Sequence, residues 1–316
     1  MDILLWIGVF VAALAGLLYS ADIFTQNAEK VGLAMGLSSF LVGAVITAIG
    51  TSLPEVITSL IATIQANGDP EVSSFAIDNV IGSNIANSLL VIGICAIVVR
   101  KLIVKKELID IDLPFLFASN GLFLVFIMDG QFTIAEGVLS LVLLMVFMGY
   151  TLTSNDDLEE VDDSDHEKIN PRNIVMLVLA CGGIYLGGKY TIDSLMNLSE
   201  IFGITSSVLT MLLVALGTSL PEVVVSTKAA LSGKHGVAVG NVFGSNVFNV
   251  LVVPSIPVFF GAVTVSGAAM TIGIPFFIIS ILALIFSSFD NKINSWEGIP
   301  LLVIYAAFVG KITGLF

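Results

Sequence analysis

Two glutamates stand where an apolar run should continue. Glu55 lies in the heptapeptide GTSLPEV, Gly50–Val56, and Glu222 lies in the same seven residues at Gly217–Val223. A carboxylate at the centre of a membrane helix costs roughly 2.5–3.5 kcal/mol on an insertion scale, so placing two of them implies a task. Pro54 and Pro221 have no N–H, which deprives the carbonyls of Gly50 and Gly217 of their helical partners. Irregular backbone at membrane depth is tolerated only where it is buried or lines a cavity. A cation would serve the freed carbonyls and the carboxylates together.

The spacing fills out the donor set. Thr51 and Ser52 stand four and three residues before Glu55, and Thr218 and Ser219 stand likewise before Glu222. At helical pitch they share a face with the carboxylate. A second motif follows each first one: NVIGSNIAN at Asn79–Asn87 and NVFGSNVFN at Asn241–Asn249. Within these, Ser83 and Asn87 are four apart, as are Ser245 and Asn249. Every candidate ligand is an oxygen. Softer metals want sulfur or imidazole, and His166 and His235 fall in predicted loops. A flexible all-oxygen cage suits Ca²⁺, which takes about 6–8 oxygens. Two carboxylates match one divalent cation or two monovalent ones, a physical basis for exchanging them. An isolated TSLP would read as a kink, and the Ser and Asn residues could be interhelical glue. Asn79, Asn84, Asn241 and Asn246 read as structural. Asp78, opposite Gly240 in the second copy, reads as a vestibule residue. Duplication of the set together with its glutamate favours the ion cage.

The surrounding chain has 316 residues, 56% of them hydrophobic and 12% charged. Soluble domains carry about 25% charge, so this is an integral membrane protein. The net charge of −13 argues against a nucleic-acid partner. Cys95 and Cys181 lie in apolar runs and read as small buried hydrophobes. The N-terminus lacks the basic start of a signal peptide and reads as a retained span. Apolar stretches of spanning length predict ten helices, near 3–21, 37–64, 74–99, 113–128, 134–152, 173–192, 205–230, 236–260, 264–287 and 295–315.

With the N-terminus outside, Lys30, Arg100, Lys101, Lys105, Lys106, Lys168, Arg172, Lys228, Lys234 and Lys292 fall inside. Only Lys189 and Lys311 fall outside. That asymmetry predicts a multi-pass cell-membrane protein with both termini outside. Ser154–Pro171 is acidic and has little to bury, so it reads as a solvated cytoplasmic linker. The expected organisation is residues 1–152, a linker at 153–172, and residues 173–316. The two glutamates are offset by 167 residues, and both motif pairs recur in the same order. Two such matches indicate duplication. Five spans per half force the second half to enter the membrane the other way. The expected fold is therefore all-α, with ten transmembrane helices in two inverted-topology repeats meeting at mid-membrane.

Paired GTSLPE and GSN motifs resemble the two alpha repeats of the cation/calcium antiporter superfamily. The sodium/calcium exchangers are the nearest branch, and the chain resembles a compact prokaryotic member over nearly its whole length. That resemblance implies that Glu55 and Glu222 are the central acidic ligands for Ca²⁺ and Na⁺. Thr51 and Thr218 match positions whose backbone carbonyls join the calcium site. Ser52, Ser219, Ser83 and Ser245 match sodium-ligand positions. Ala48 and Ala215 match backbone-carbonyl ligands of the sodium sites, and Asn87 and Asn249 match the remaining central pair. Several relatives carry Asp at the position of Asn249, and an amide cannot ionise. The family's flanking helices, here the first and sixth spans, are thought to slide across the core.

The expected function is a secondary antiporter exchanging Na⁺ for Ca²⁺ by alternating access, with no enzymatic activity and no cofactor beyond the transported ions. No obligatory protein partner is evident beside the lipid bilayer. The alternative within transport is a Ca²⁺/H⁺ exchanger, which would not need the many hydroxyls. An intramembrane serine hydrolase would need a base within reach of its nucleophile, and no histidine lies in a predicted span. A passive channel is the remaining alternative, disfavoured by the inverted repeats.

Overall fold

The computed structural model describes residues 2–34, 50–104, 113–153 and 170–315. The protein is helical and membrane-embedded. Among the described residues seven helices are long and apolar enough to cross a bilayer. Three shorter apolar helices, Leu53–Gln65, Leu113–Ile127 and Ile134–Tyr150, fall where the second, fourth and fifth spans are predicted. The first part of the predicted second span and most of the acidic linker, with Lys105, Lys106, Lys168 and His166, lie outside the described residues.

Burial sorts the helices into a core and a flank. The stretches Pro70–Val99 and His235–Phe259 are 83% and 78% buried over their most apolar windows. These are the two that carry the GSN motifs. The helices α1 (Asp2–Ala34) and α2 (Pro171–Phe202) are only 11% and 28% buried over theirs and turn apolar side chains outward. They pack against each other through small residues. A Cβ on Gly187 would sit 2.8 Å from the backbone of Leu17, and one on Gly183 would strike Ser20. Such close approach suits helix pairing in lipid, where packing rather than hydrophobicity drives association. The same α1 also lies over both heptapeptides: a Cβ on Gly50 would collide with Thr25, and one on Gly217 with Leu14.

Both flanking helices outrun the spans predicted for them. The hydropathy signal fades at Asp22, Gln26 and Asn27 in α1, but these side chains bond locally: Gln26 donates to Asp22 at 2.7 Å and Asn27 to the Ile23 carbonyl at 2.7 Å. In α2, Asn197 donates to the carbonyl of Asp193 at 2.7 Å. The helix is bounded by true caps instead. Asn170 accepts from the Arg172 N–H at 3.0 Å, Pro171 opens the first turn, and Gly203 closes the last at φ +62°, a left-handed position that suits glycine.

Two short antiparallel ribbons tie the ends of the bundle. β1 (Lys101–Ile103) pairs with β4 (Lys292–Asn294), and β2 (Gln131–Phe132) pairs with β3 (Val263–Thr264). The first sits just past the C-terminal end of the buried stretch Pro70–Val99. The second reaches its N-terminal end, where Thr264 donates to the Pro70 carbonyl at 3.2 Å. The ribbons thus brace opposite ends of the helix that carries Ser83 and Asn87.

Candidate ion site

Both heptapeptides break their helices at the same residue. Ser52 has φ −90° and ψ 3°, and Ser219 has φ −82° and ψ 3°, values of the sparsely populated bridge region. New helices then start at Leu53 and Leu220, with the prolines in the first turn, where a missing N–H costs nothing. Glu55 and Glu222 also fall in those first turns, where the N-terminal end of the helix dipole favours negative charge. The sequence TSLPE therefore acts as a helix restart that delivers a carboxylate.

The two carboxylates are fully buried and close enough to repel one another. Thr218, Ser83 and Ser219 lie beside Glu55, while Thr51 and Ser245 lie beside Glu222. Each glutamate is thus faced by residues from the other heptapeptide. Ser245 donates to Glu222 Oε1 at 3.4 Å. Glu222 Oε2 and both oxygens of Glu55 have no hydrogen-bond partner. The hydroxyls of Ser52, Ser83 and Ser219, both polar ends of the Asn87 amide, and Asn249 Oδ1 are likewise buried and unpartnered. Buried polar atoms are nearly always satisfied, so such a concentration around two facing carboxylates marks a place built for a ligand. In a low-dielectric interior like charges repel strongly, and the ligand that relieves both deficits is a cation.

The remaining expected residues take less uniform positions. Ala215 is fully buried and packs on Gly82, next to Ser83: a Cβ on Gly82 would lie 2.6 Å from that of Ala215. Thr218 spends its own hydroxyl hydrogen on the Val214 carbonyl at 3.0 Å, so it serves the helix as well as facing Glu55. Ala48 lies outside the described residues. Asn87 sits in a π-helical segment, Ala86–Val91, a feature common at functional sites; the corresponding part of the second half is α-helical through Val252. Among the described residues no group of three or more His, Cys, Asp or Glu could hold a metal. Glu55 and Glu222 stand as two acids among neutral oxygens.

The sequence missed several supporting residues. Asn84 and Asn246 were legible only as structural amides, yet they join the two GSN motifs: Asn84 Nδ2 donates to the Asn246 carbonyl at 3.0 Å. Asn120 was not singled out at all and accepts from Asn84 Nδ2 at 3.3 Å. A lone asparagine in the short apolar helix Leu113–Ile127 was the available signal. Asp78 is not a vestibule residue open to water. It is fully buried, and Ser74 and Ser266 donate to its carboxylate at 2.9 and 2.6 Å. Ser74 stands one helical turn before Asp78, but Ser266 comes from a distant part of the chain, which spacing alone does not bring near.

A family model described as sodium/calcium exchanger protein matches residues 5–153 and 172–313. The chain is 31% identical to an uncharacterized membrane protein of Methanocaldococcus jannaschii, covering 98% of this chain and 99% of that one. It is 30% identical to sodium/calcium exchanger MaX1 of Methanosarcina acetivorans, over 95% of this chain and 97% of the relative. Among solved structures, the sodium-calcium exchanger NCX_Mj soaked with Na⁺ and Sr²⁺ superposes with a TM-score of 0.68 at 29% identity, covering 98% of both chains. A matching fold, full-length relatives and a family model spanning both halves lead to one conclusion: this chain belongs to the sodium/calcium exchanger family.

Proposed function

We propose that the protein is a secondary antiporter that exchanges Na⁺ for Ca²⁺ by alternating access, holding its ions at mid-membrane between two five-helix repeats of inverted topology. The observation that carries the reading is the pair of buried carboxylates, Glu55 and Glu222, with Thr218 and Ser219 of the second heptapeptide beside Glu55 and Thr51 of the first beside Glu222. Glu55 and Glu222 are the central ligands. Ser52, Ser83, Ser219 and Ser245 supply hydroxyl oxygens, Asn87 and Asn249 supply amide oxygens, and the backbone carbonyls at Ala48, Thr51, Ala215 and Thr218 complete the set. The matching breaks at Ser52 and Ser219 support the inverted repeat, as does the exchange of hydroxyls between halves. MaX1 and NCX_Mj, both named as sodium/calcium exchangers, support the choice of ions. The charge asymmetry supports termini outside and the acidic linker inside.

The test is calcium uptake into proteoliposomes loaded with sodium, with and without external sodium, at fixed pH. Uptake that needs an outward sodium gradient and is lost in Glu55→Gln and Glu222→Gln is the expected result. Uptake that ignores sodium and follows a pH gradient would make the protein a Ca²⁺/H⁺ exchanger. Uptake with neither gradient would make it a channel, and full activity in the two variants would remove the site.

A further inference from the structure

A chain of amides runs from the helix Leu113–Ile127 into the ion site, and its direction is fixed by backbone carbonyls. Asn120 Nδ2 donates to the Leu116 carbonyl at 2.7 Å, so Oδ1 is the end of the Asn120 amide left to meet Asn84. Asn84 meets two acceptors, Asn120 Oδ1 at 3.3 Å and the Asn246 carbonyl at 3.0 Å. A backbone carbonyl only accepts, so the amide end facing it must be Nδ2. Asn84 Oδ1 is then turned the other way, toward Asn249, which meets it with Nδ2 at 3.1 Å. The Asn249 oxygen is what remains, and it is buried and unpartnered. Asn84, Asn120, Asn246 and Asn249 are each at least 99% buried, so water does not substitute for any of these bonds.

We propose that Asn84 is a positioning residue that dictates which end of the Asn249 side chain faces the cation. Residue 249 must present a donor to Asn84, and by doing so it turns a carbonyl oxygen, not an NH₂, into the cage. The proposal rests on the antiport reading of the site. It also explains why an amide suits position 249. An ionised carboxylate there would set oxygen against Asn84 Oδ1, and Asn84 could turn over only by opposing its own oxygen to the Asn246 carbonyl. The relay is one-sided. Its symmetry mate would join Asn87 to Asn246, but both polar ends of Asn87 and Oδ1 of Asn246 are unpartnered, and Asn246 Nδ2 donates to Ser88 at 2.8 Å instead. One central amide is locked and the other has no hydrogen bond to hold it.

The experiment measures sodium-driven calcium uptake in proteoliposomes for Asn84→Ala, Asn120→Ala, Asn249→Asp and the double variant Asn84→Ala/Asn249→Asp, beside Glu55→Gln. Losing one neutral hydrogen bond corresponds to about three- to tenfold in an equilibrium constant. Asn84→Ala should raise the half-saturating calcium concentration by about that factor while the maximal rate holds, and Asn120→Ala should do the same more weakly. Asn249→Asp should be impaired when Asn84 is present and recover when Asn84 is alanine. Should Asn84→Ala fail to yield a monodisperse protein, Asn120→Ala and Asn249→Asp decide on their own predictions. An unchanged half-saturation in Asn84→Ala and Asn120→Ala, a fall in maximal rate alone, or equal activity of Asn249→Asp with and without Asn84 would overturn the relay. Full uptake in Glu55→Gln would instead overturn the site itself, so the two failures are distinguishable.

Discussion

Asn79 donates its Nδ2 to the hydroxyl of Ser59 at 3.1 Å, tying the helix that carries Ser83 to the helix that carries Glu55. The second half repeats the bond between Asn241 and Ser226 at 3.0 Å. Asn79 also reaches the backbone carbonyl of Glu55 at 3.3 Å, whereas Asn241 among the described residues donates only to Ser226. The paired bonds are structural, and the extra one steadies the turn that presents Glu55. Removing a buried partner leaves the other group unsatisfied at about 1–3 kcal/mol. Asn79→Ala and Asn241→Ala should each lower the melting temperature in detergent. Asn79→Ala should also weaken calcium uptake beyond what Asn241→Ala does, and comparing their uptake at equal folded protein checks it.

Close packing beside the site gives a second prediction. A Cβ on Gly82 would lie 2.6 Å from both the Ala215 Cβ and the Met211 carbonyl oxygen, distances that backbone must move to relieve. Overpacking costs about 1–3 kcal/mol. Gly82→Ala should lower the melting temperature and reduce uptake, because it pushes Ser83 and Ala215 apart. Gly121, on an open helix surface with nothing within 4 Å of its would-be Cβ, is the control. Gly121→Ala should be neutral or stabilising by about 0.5–1 kcal/mol.

Stability and function should part company at the unpartnered hydroxyls. Ser83 and Ser219 are buried with no hydrogen-bond partner, so deleting either oxygen removes an unmet demand rather than a bond. Ser83→Ala and Ser219→Ala should melt at or above the parent temperature while their dependence on sodium weakens. Parallel melting curves and sodium titrations decide it. A clear loss of stability in both would show that the hydroxyls are structural.

Ion binding should itself be measurable without transport. A ligand that binds only the folded state at about 100 times its Kd stabilises by about 2.7 kcal/mol. Saturating Ca²⁺ should therefore raise the melting temperature of the detergent-purified protein by several degrees. Glu55→Gln and Glu222→Gln should abolish that rise, and Mg²⁺, which demands a tighter octahedral shell, should produce less of it.

The site was legible where local chemistry repeats. A carboxylate after Ser-Leu-Pro is improbable in an apolar helix once and more so twice, and the GSN motifs gave the serines and amides. The membrane class and the positions of the apolar helices among the described residues followed from hydropathy. The helix ends did not, because Asp22, Asn27 and Asn197 hide polarity by bonding to their own helices or neighbours. The π-helical turn at Asn87 has no glycine or proline to announce it. The relay through Asn120 and the burial of Asp78 under Ser74 and Ser266 depend on side chains more than thirty residues apart in most pairs, and a single sequence carries no signal of such proximity.

The restarts at Ser52 and Ser219 have one more consequence, for leakage. Each new helix brings the positive end of its dipole, roughly half an elementary charge, to its own glutamate. Two such ends offset about half of the two carboxylate charges. With both acids ionised, the site would keep a net negative field and a like-charge repulsion between the two glutamates. A divalent ion or a pair of monovalent ions would cancel that field. On the antiport reading proposed above, coupling between the two ion flows would need no separate lock: the same break in the helix that presents each glutamate would also hold back the empty carrier and suppress slippage.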